Sequence, residues 1–166
     1  MMKAVWSGTI AAAAVMLVST SVYGQTVQTG SINVTANVNA KAKLSLSAAS
    51  ITFADADPDV TPTMVASAVS VDVKARTTAA ANVTLTVLAS GDLVSGSDTI
   101  GIGLLTWTAT GSGYQAGTSN RTTAQTLGSW TGSGSPSGTH TYSLPNSWTY
   151  ATGTYTVTLN YTLTVP

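Results

Sequence analysis

The chain has 166 residues, with six basic side chains, six acidic ones, one histidine and no cysteine. Balanced charge leaves no basic field to hold nucleic acid, and the missing cysteine removes both disulfides and thiol nucleophiles. Glutamate is absent too, while Thr, Ser, Ala, Gly and Val dominate, a mix that favours strands and turns over helices and predicts an all-β fold.

Residues 1–24 read as a secretory signal: Met1, Met2 and Lys3 form a short basic start, residues 10–18 are apolar, and Val22-Tyr23-Gly24 precedes a cut at Gln25. The apolar run is far shorter than the roughly 20 residues that cross a bilayer, so no membrane span is expected after cleavage. The remaining chain, about 140 residues, is the size of one domain with a single two-layer core. It carries Lys41, Lys43, Lys74, Arg76 and Arg121 against Asp55, Asp57, Asp59, Asp72, Asp92 and Asp98, an excess of one negative charge.

Residues 25–39 form an N-terminal segment ahead of a domain at 40–166. Within it Ile32, Val34, Ala36 and Val38 alternate with Asn33, Thr35, Asn37 and Asn39, the two-residue period of a strand with one apolar face, expected over 29–39. Residues 41–47 and 51–53 are the next expected strands, followed by a loop through Asp55, Asp57, Pro58, Asp59 and Pro62. Residues 65–75 and 83–89 alternate again on either side of a small-residue turn at 77–81, which predicts a hairpin. A Gly/Ser/Asp loop at 90–98, a strand at 100–109 carrying Trp107, and a weaker strand at 122–130 come next, with Gly/Ser-rich connectors at 111–120 and 132–139. Residues 140–144 predict a short strand and 145–153 a turn with Trp148 and Tyr150. At 154–166, Tyr155, Val157, Leu159, Tyr161, Leu163 and Val165 alternate with Thr and Asn. Strands at this spacing predict a Greek-key β-sandwich. An outer-membrane barrel fits less well, because its outward face is richly apolar and one face here is mostly Thr and Ser.

Catalysis finds little to work with. His140 is the single histidine and is expected as a strand residue with a solvated ring, and no G-x-S-x-G nucleophile elbow occurs. No enzyme activity and no cofactor are expected. Asp55, Asp57 and Asp59 at alternate positions offer oxygens of the kind calcium prefers. The EF-hand pattern nevertheless fails at Val60, where Gly belongs, and at Ala66, where Glu belongs, so these residues are a weak calcium candidate against a capped, solvated turn. Trp107 and Trp130 are expected in the core. Trp148 and Tyr150, with Tyr114, are the candidate glycan contacts, since exposed aromatic rings can stack on sugars while buried ones send their polar edges to backbone partners. Asn33, Asn82, Asn120 and Asn160 each open an N-x-T triplet, a pattern that Thr-rich strands generate by chance, and no function is assigned to them.

The order of these pieces resembles the spore coat protein U family and the related pilins of archaic chaperone-usher fimbriae. The residues that carry it are the run from Thr29 to Val38, Ile51-Thr52-Phe53 before an acidic turn, Val69-Ser70-Val71-Asp72-Val73 leading to Val83-Thr84-Leu85-Thr86-Val87, and Gly153-Thr154-Tyr155-Thr156-Val157-Thr158-Leu159. The resemblance spans nearly all of the chain after the signal, and the chain departs from it in lacking the cysteine pair that relatives commonly carry. It implies an immunoglobulin-like sandwich missing one edge strand, with Ile32, Val34, Ala36 and Val38 as plugs in a neighbouring subunit. It further implies a homo-polymer, a periplasmic chaperone, an outer-membrane usher, and export through the periplasm to the cell surface or extracellular space. The competing expectation is a monomeric cell-surface module that binds polysaccharide through Trp148 and Tyr150 with help from Tyr114.

Overall fold

A computed structural model describes Gly24 and residues 26–166. Except for Gly24, the expected signal segment lies outside the described residues, as does Gln25. The chain divides into a unit ending at Ala36 and a unit spanning Asn37–Pro166. Residues 26–36 form neither helix nor strand, and their side chains are exposed. The strand expected over 29–39 is therefore not formed within one copy, because a strand needs a partner to satisfy its ladder.

The second unit is all-β, with two main antiparallel sheets. Its strands are β1 (Lys41–Leu46), β2 (Thr63–Val65), β3 (Val69–Arg76), β4 (Asn82–Ala89), β5 (Leu93–Ser95), β6 (Asp98–Ile100), β7 (Thr106–Thr110), β8 (Gly117–Thr118), β9 (Gln125–Thr131), β10 (Ser137–Pro145) and β11 (Leu159–Thr164). One sheet has the order β1-β3-β10-β7-β8, with β2 also on β10; the other is β11-β4-β9, and β5 and β6 form a separate ribbon. The first four strands of the larger sheet match the A, B, E and D strands of an immunoglobulin sandwich, and β4 and β11 match C and F. Among the described residues, no strand takes the place beside β11 that strand G fills in the seven-stranded arrangement.

Period two builds the core. Val69, Val71, Val73 and Ala75 of β3 face inward while Ser70, Asp72, Lys74 and Arg76 face out, and Val83, Leu85, Val87 and Ala89 of β4 do the same from the opposing sheet. Leu127, Trp107, Tyr142 and Leu144 complete the centre, and the Trp107 indole donates to the Gln115 carbonyl at 2.8 Å.

Several expected elements are rearranged. β3 and β4 are not a hairpin: β3 pairs with β1 and β10, and β4 with β9 and β11, so residues 77–81 cross between sheets. Alternation fixes which face of a strand is buried but not which strand lies beside it. Residues 51–53 form no strand although Ile51 and Phe53 pack on the core. The loop expected at 90–98 holds β5 and the start of β6, and the terminal strand is confined to Leu159–Thr164 after a bridge between Thr156 and Val94. β10 runs nine residues from Ser137 to Pro145 and pairs with three strands, well beyond the short piece expected at 140–144.

Truncating Leu85, which is fully buried, to alanine is expected to cost about 2–5 kcal/mol in chemical denaturation. Thr84→Ala, on the half-exposed outer side of the same strand, should stay within about 0.5 kcal/mol.

Candidate functional site

The free side of β11 opens onto a groove. β11 is hydrogen-bonded to β4 along one edge only. Across from it, residues 48–55 run on from β1 in irregular backbone that makes no hydrogen bond to the rest of the described residues. Between these two walls lies a groove of about 1150 Å³, lined by Leu46, Ile51 and Phe53 on one side, by Tyr155, Val157, Leu159 and Tyr161 on the other, and by Tyr142 and Leu144 of β10. Its volume exceeds the range of about 300–1000 Å³ usual for small-molecule sites. Unpaired backbone on both walls and an apolar lining suit an extended peptide better than a compact ligand.

Polar ties hold the groove in shape. Asn146 Nδ2 donates to the Ala56 carbonyl at 2.9 Å and to the Thr61 carbonyl at 3.1 Å, and the Asn146 amide donates to the Pro62 carbonyl at 2.9 Å. The Trp148 indole donates to Asp59 Oδ1 at 3.1 Å. Together these bonds bind the turn after β10 to the loop at 55–62 at one end of the groove. Between the sheets, the Tyr142 and Tyr161 hydroxyls hydrogen-bond each other. Burial pushes both phenols above the ordinary tyrosine range, so both stay protonated.

Asp57 and Asp59 are absorbed into this architecture. Asp57 Oδ1 accepts the Asp59 amide at 2.9 Å, and the Asp57 carbonyl accepts the Val60 and Thr61 amides. This is a local Asp-capped turn. Among the described residues, no group of three or more His, Cys, Asp or Glu is arranged to hold a metal, so Asp55, Asp57 and Asp59 are not gathered into a calcium site.

The aromatic candidates part company. Trp148 is 70% exposed, whereas Tyr150 is half-buried, packs on the core and lines the groove. Tyr114 is not a surface contact. It is buried, its hydroxyl donates to the Val71 carbonyl at 2.6 Å and lies 3.2 Å from the Pro136 carbonyl, and its ring meets Trp130 edge-on with centroids 4.9 Å apart. Burial, with Asp72 adding, pushes its phenol up to about 12. Its Gly/Ser-rich surroundings read as an exposed connector, but Gly111 and Gly113 adopt positive φ, which lets the segment fold back over the sandwich. His140 is likewise buried rather than solvated, since β10 is a central strand and position 140 faces inward.

Ile32, Val34, Ala36 and Val38 are exposed, Ile32 at 90% and Val34 at 89%. Four regularly spaced apolar side chains thus lie open to solvent. Sequence reasoning identified those residues and the Tyr155–Tyr161 alternation, but missed the wall at 48–55 and the Asn146 ties, which depend on contacts some 85 to 90 residues apart. No protein-family model matches the chain, and no curated protein matches it in sequence.

Replacing Tyr114 by Phe removes only the hydroxyl and strands a buried carbonyl. Urea unfolding should show a loss of about 1–3 kcal/mol with the fold retained.

Proposed function

We propose that the protein is an exported structural subunit of a surface fibre or coat, assembled when the N-terminal segment of one copy enters the groove of the next. The observation that carries this is the apolar groove beside the unpaired edge of β11, in a chain that also holds exposed, strand-patterned Ile32, Val34, Ala36 and Val38. The inserted segment would take the place of strand G: its backbone would ladder with β11, and its alternate side chains would enter the core. Each aliphatic plug would contribute roughly 1.5–3 kcal/mol before ordering costs.

Reach favours insertion into another copy. The Asn39 carbonyl accepts from Arg76 Nε at 2.8 Å, and Arg76 is level with Lys41 at the start of β1, whereas the groove begins at Leu46 at the end of β1. A segment folding back into its own groove would spend about six residues retracing β1, roughly 20 Å at strand rise. Ala36 and Val38 would then fall short. In a neighbour's groove all four plugs can enter, and a tail rooted at one end with a groove opening toward the other gives a head-to-tail contact that propagates as a filament.

Such a subunit would need its groove covered before assembly, because an open sheet edge invites uncontrolled pairing. A periplasmic chaperone and an outer-membrane usher fill that role in the pilins that the sequence resembles. The polysaccharide-binding alternative keeps only Trp148 as an open ring, since Tyr114 is buried and Tyr150 half-buried, and one indole is not a platform.

The test compares the protein starting at Gln25 with a variant lacking residues 25–38. On unheated denaturing gels the longer form should give a ladder that collapses on boiling, and the shortened form a single band. The shortened form should bind a synthetic peptide of residues 26–39 by fluorescence anisotropy, and Ile32→Asp with Val34→Asp in the peptide should abolish binding. A single band for both proteins, together with no peptide binding, would sink the proposal.

A further inference from the structure

His140 occupies the interior of the sandwich, where the Leu127 backbone acts on its ring and the Tyr114 ring lies against it. It pairs in register with Val69 of β3 and Ala109 of β7, is fully buried, and neither Nδ1 nor Nε2 has a hydrogen-bond partner among the described residues. The inward positions of β3 and β4 are all Val, Leu or Ala; β7 contributes Trp107 and Ala109, and β9 contributes Leu127. The one titratable group against the ring is Tyr114, edge-on at 5.5 Å between centroids, and its hydroxyl is committed to the Val71 carbonyl. Tyr142, two residues along β10, is bonded to Tyr161 of β11. The charged groups of β3, Asp72, Lys74 and Arg76, occupy outward positions, and β4, β7 and β9 carry no charged residue. No carboxylate is therefore placed to receive a proton-bearing imidazolium.

We propose that His140 makes the sandwich acid-sensitive: the closed core accepts the neutral ring only, and taking up a proton requires the core to open. An apolar side chain at this position would bury no unpaired nitrogen, so the histidine carries a desolvation cost that leucine or phenylalanine would not. The inference concerns the sandwich itself and holds whether or not the groove is filled.

Burial lowers the pKa of His140 from its ordinary 6.5, and the Leu127 backbone opposes part of that shift. A base with a lowered folded-state pKa leaves stability intact above its unfolded value. Stability then falls as pH drops below 6.5, because the unfolded chain binds a proton that the folded chain refuses. The unfolding constant should rise about tenfold for each pH unit below that point, until the folded-state pKa is reached. The sequence has one histidine, so the difference in pH profile between the protein and His140→Phe isolates this one side chain.

The test is denaturant unfolding of the protein starting at Gln25 from about pH 7.5 to about pH 4.5, beside His140→Phe. The unsubstituted protein should lose stability at about one decade per pH unit below 6.5, and the variant should stay level. Parallel profiles would overturn the proposal. Because a core variant can fail to fold, the single histidine is also followed by NMR in the unsubstituted protein. A ring that stays neutral well below pH 6.5 supports the proposal, and a folded-state midpoint at the ordinary 6.5 overturns it.

Discussion

The arrangement of the molecule turns on one unmet demand, the hydrogen-bonding capacity of the outer edge of β11. Backbone N–H and C=O groups must find partners, and a strand paired on one side leaves the other to water or to another strand. Here that edge does not stand on an open surface. It borders an apolar cleft whose opposite wall, residues 48–55, is equally without hydrogen bonds to the described protein. Water in the cleft satisfies the backbone but leaves the half-buried Phe53, Tyr155 and Val157 poorly covered. An apolar ligand covers the side chains but leaves the backbone unmet. An extended peptide with alternating aliphatic side chains meets both demands at once.

The groove is also pre-organised. Without disulfides, its width rests on side-chain ties: Asn146 and Trp148 bind the two loops at one end, and the Tyr142–Tyr161 pair joins β10 to β11 across the sheets. At the tied end, ordering costs therefore fall on whatever enters. For any segment that enters, each ordered backbone residue costs about 1–2 kcal/mol that the ladder and the buried side chains must exceed.

Fold class was legible because the strict alternation at Val69–Arg76, Asn82–Ala89 and Leu159–Thr164 admits little besides half-buried strands. Partnership was not. The short turn between β3 and β4 looks like a hairpin connection, yet alternation fixes only which face is buried, and the two strands face each other across the core instead of pairing. Tyr114 and His140 were misplaced for a related reason. Both lie in or beside stretches rich in Gly, Ser and Thr, and local polarity gave no sign that the segments fold over, or run through, the centre of the sandwich. The groove was half legible: its β11 wall is a periodic strand, while the wall at 48–55 carries only Ile51 and Phe53 as markers and has no regular structure to advertise it.

The four end strands of the two main sheets are treated differently. β1 carries Lys41 and Lys43, charges of the kind that discourage edge pairing. β8 is two residues long. The outer side of β9 is covered by the segment around Tyr114, whose neighbours exchange Gln115 N–H to Leu127 O at 2.9 Å and Ser129 N–H to Gly113 O at 3.0 Å, and its inner side is irregular against β4. β11 has none of these protections. Its six residues hold no charge and no proline, and its open side meets the apolar groove instead of solvent-facing lysines. With β1, β8 and β9 guarded in these ways, β11 is the edge of the two main sheets at which an added strand would meet least opposition.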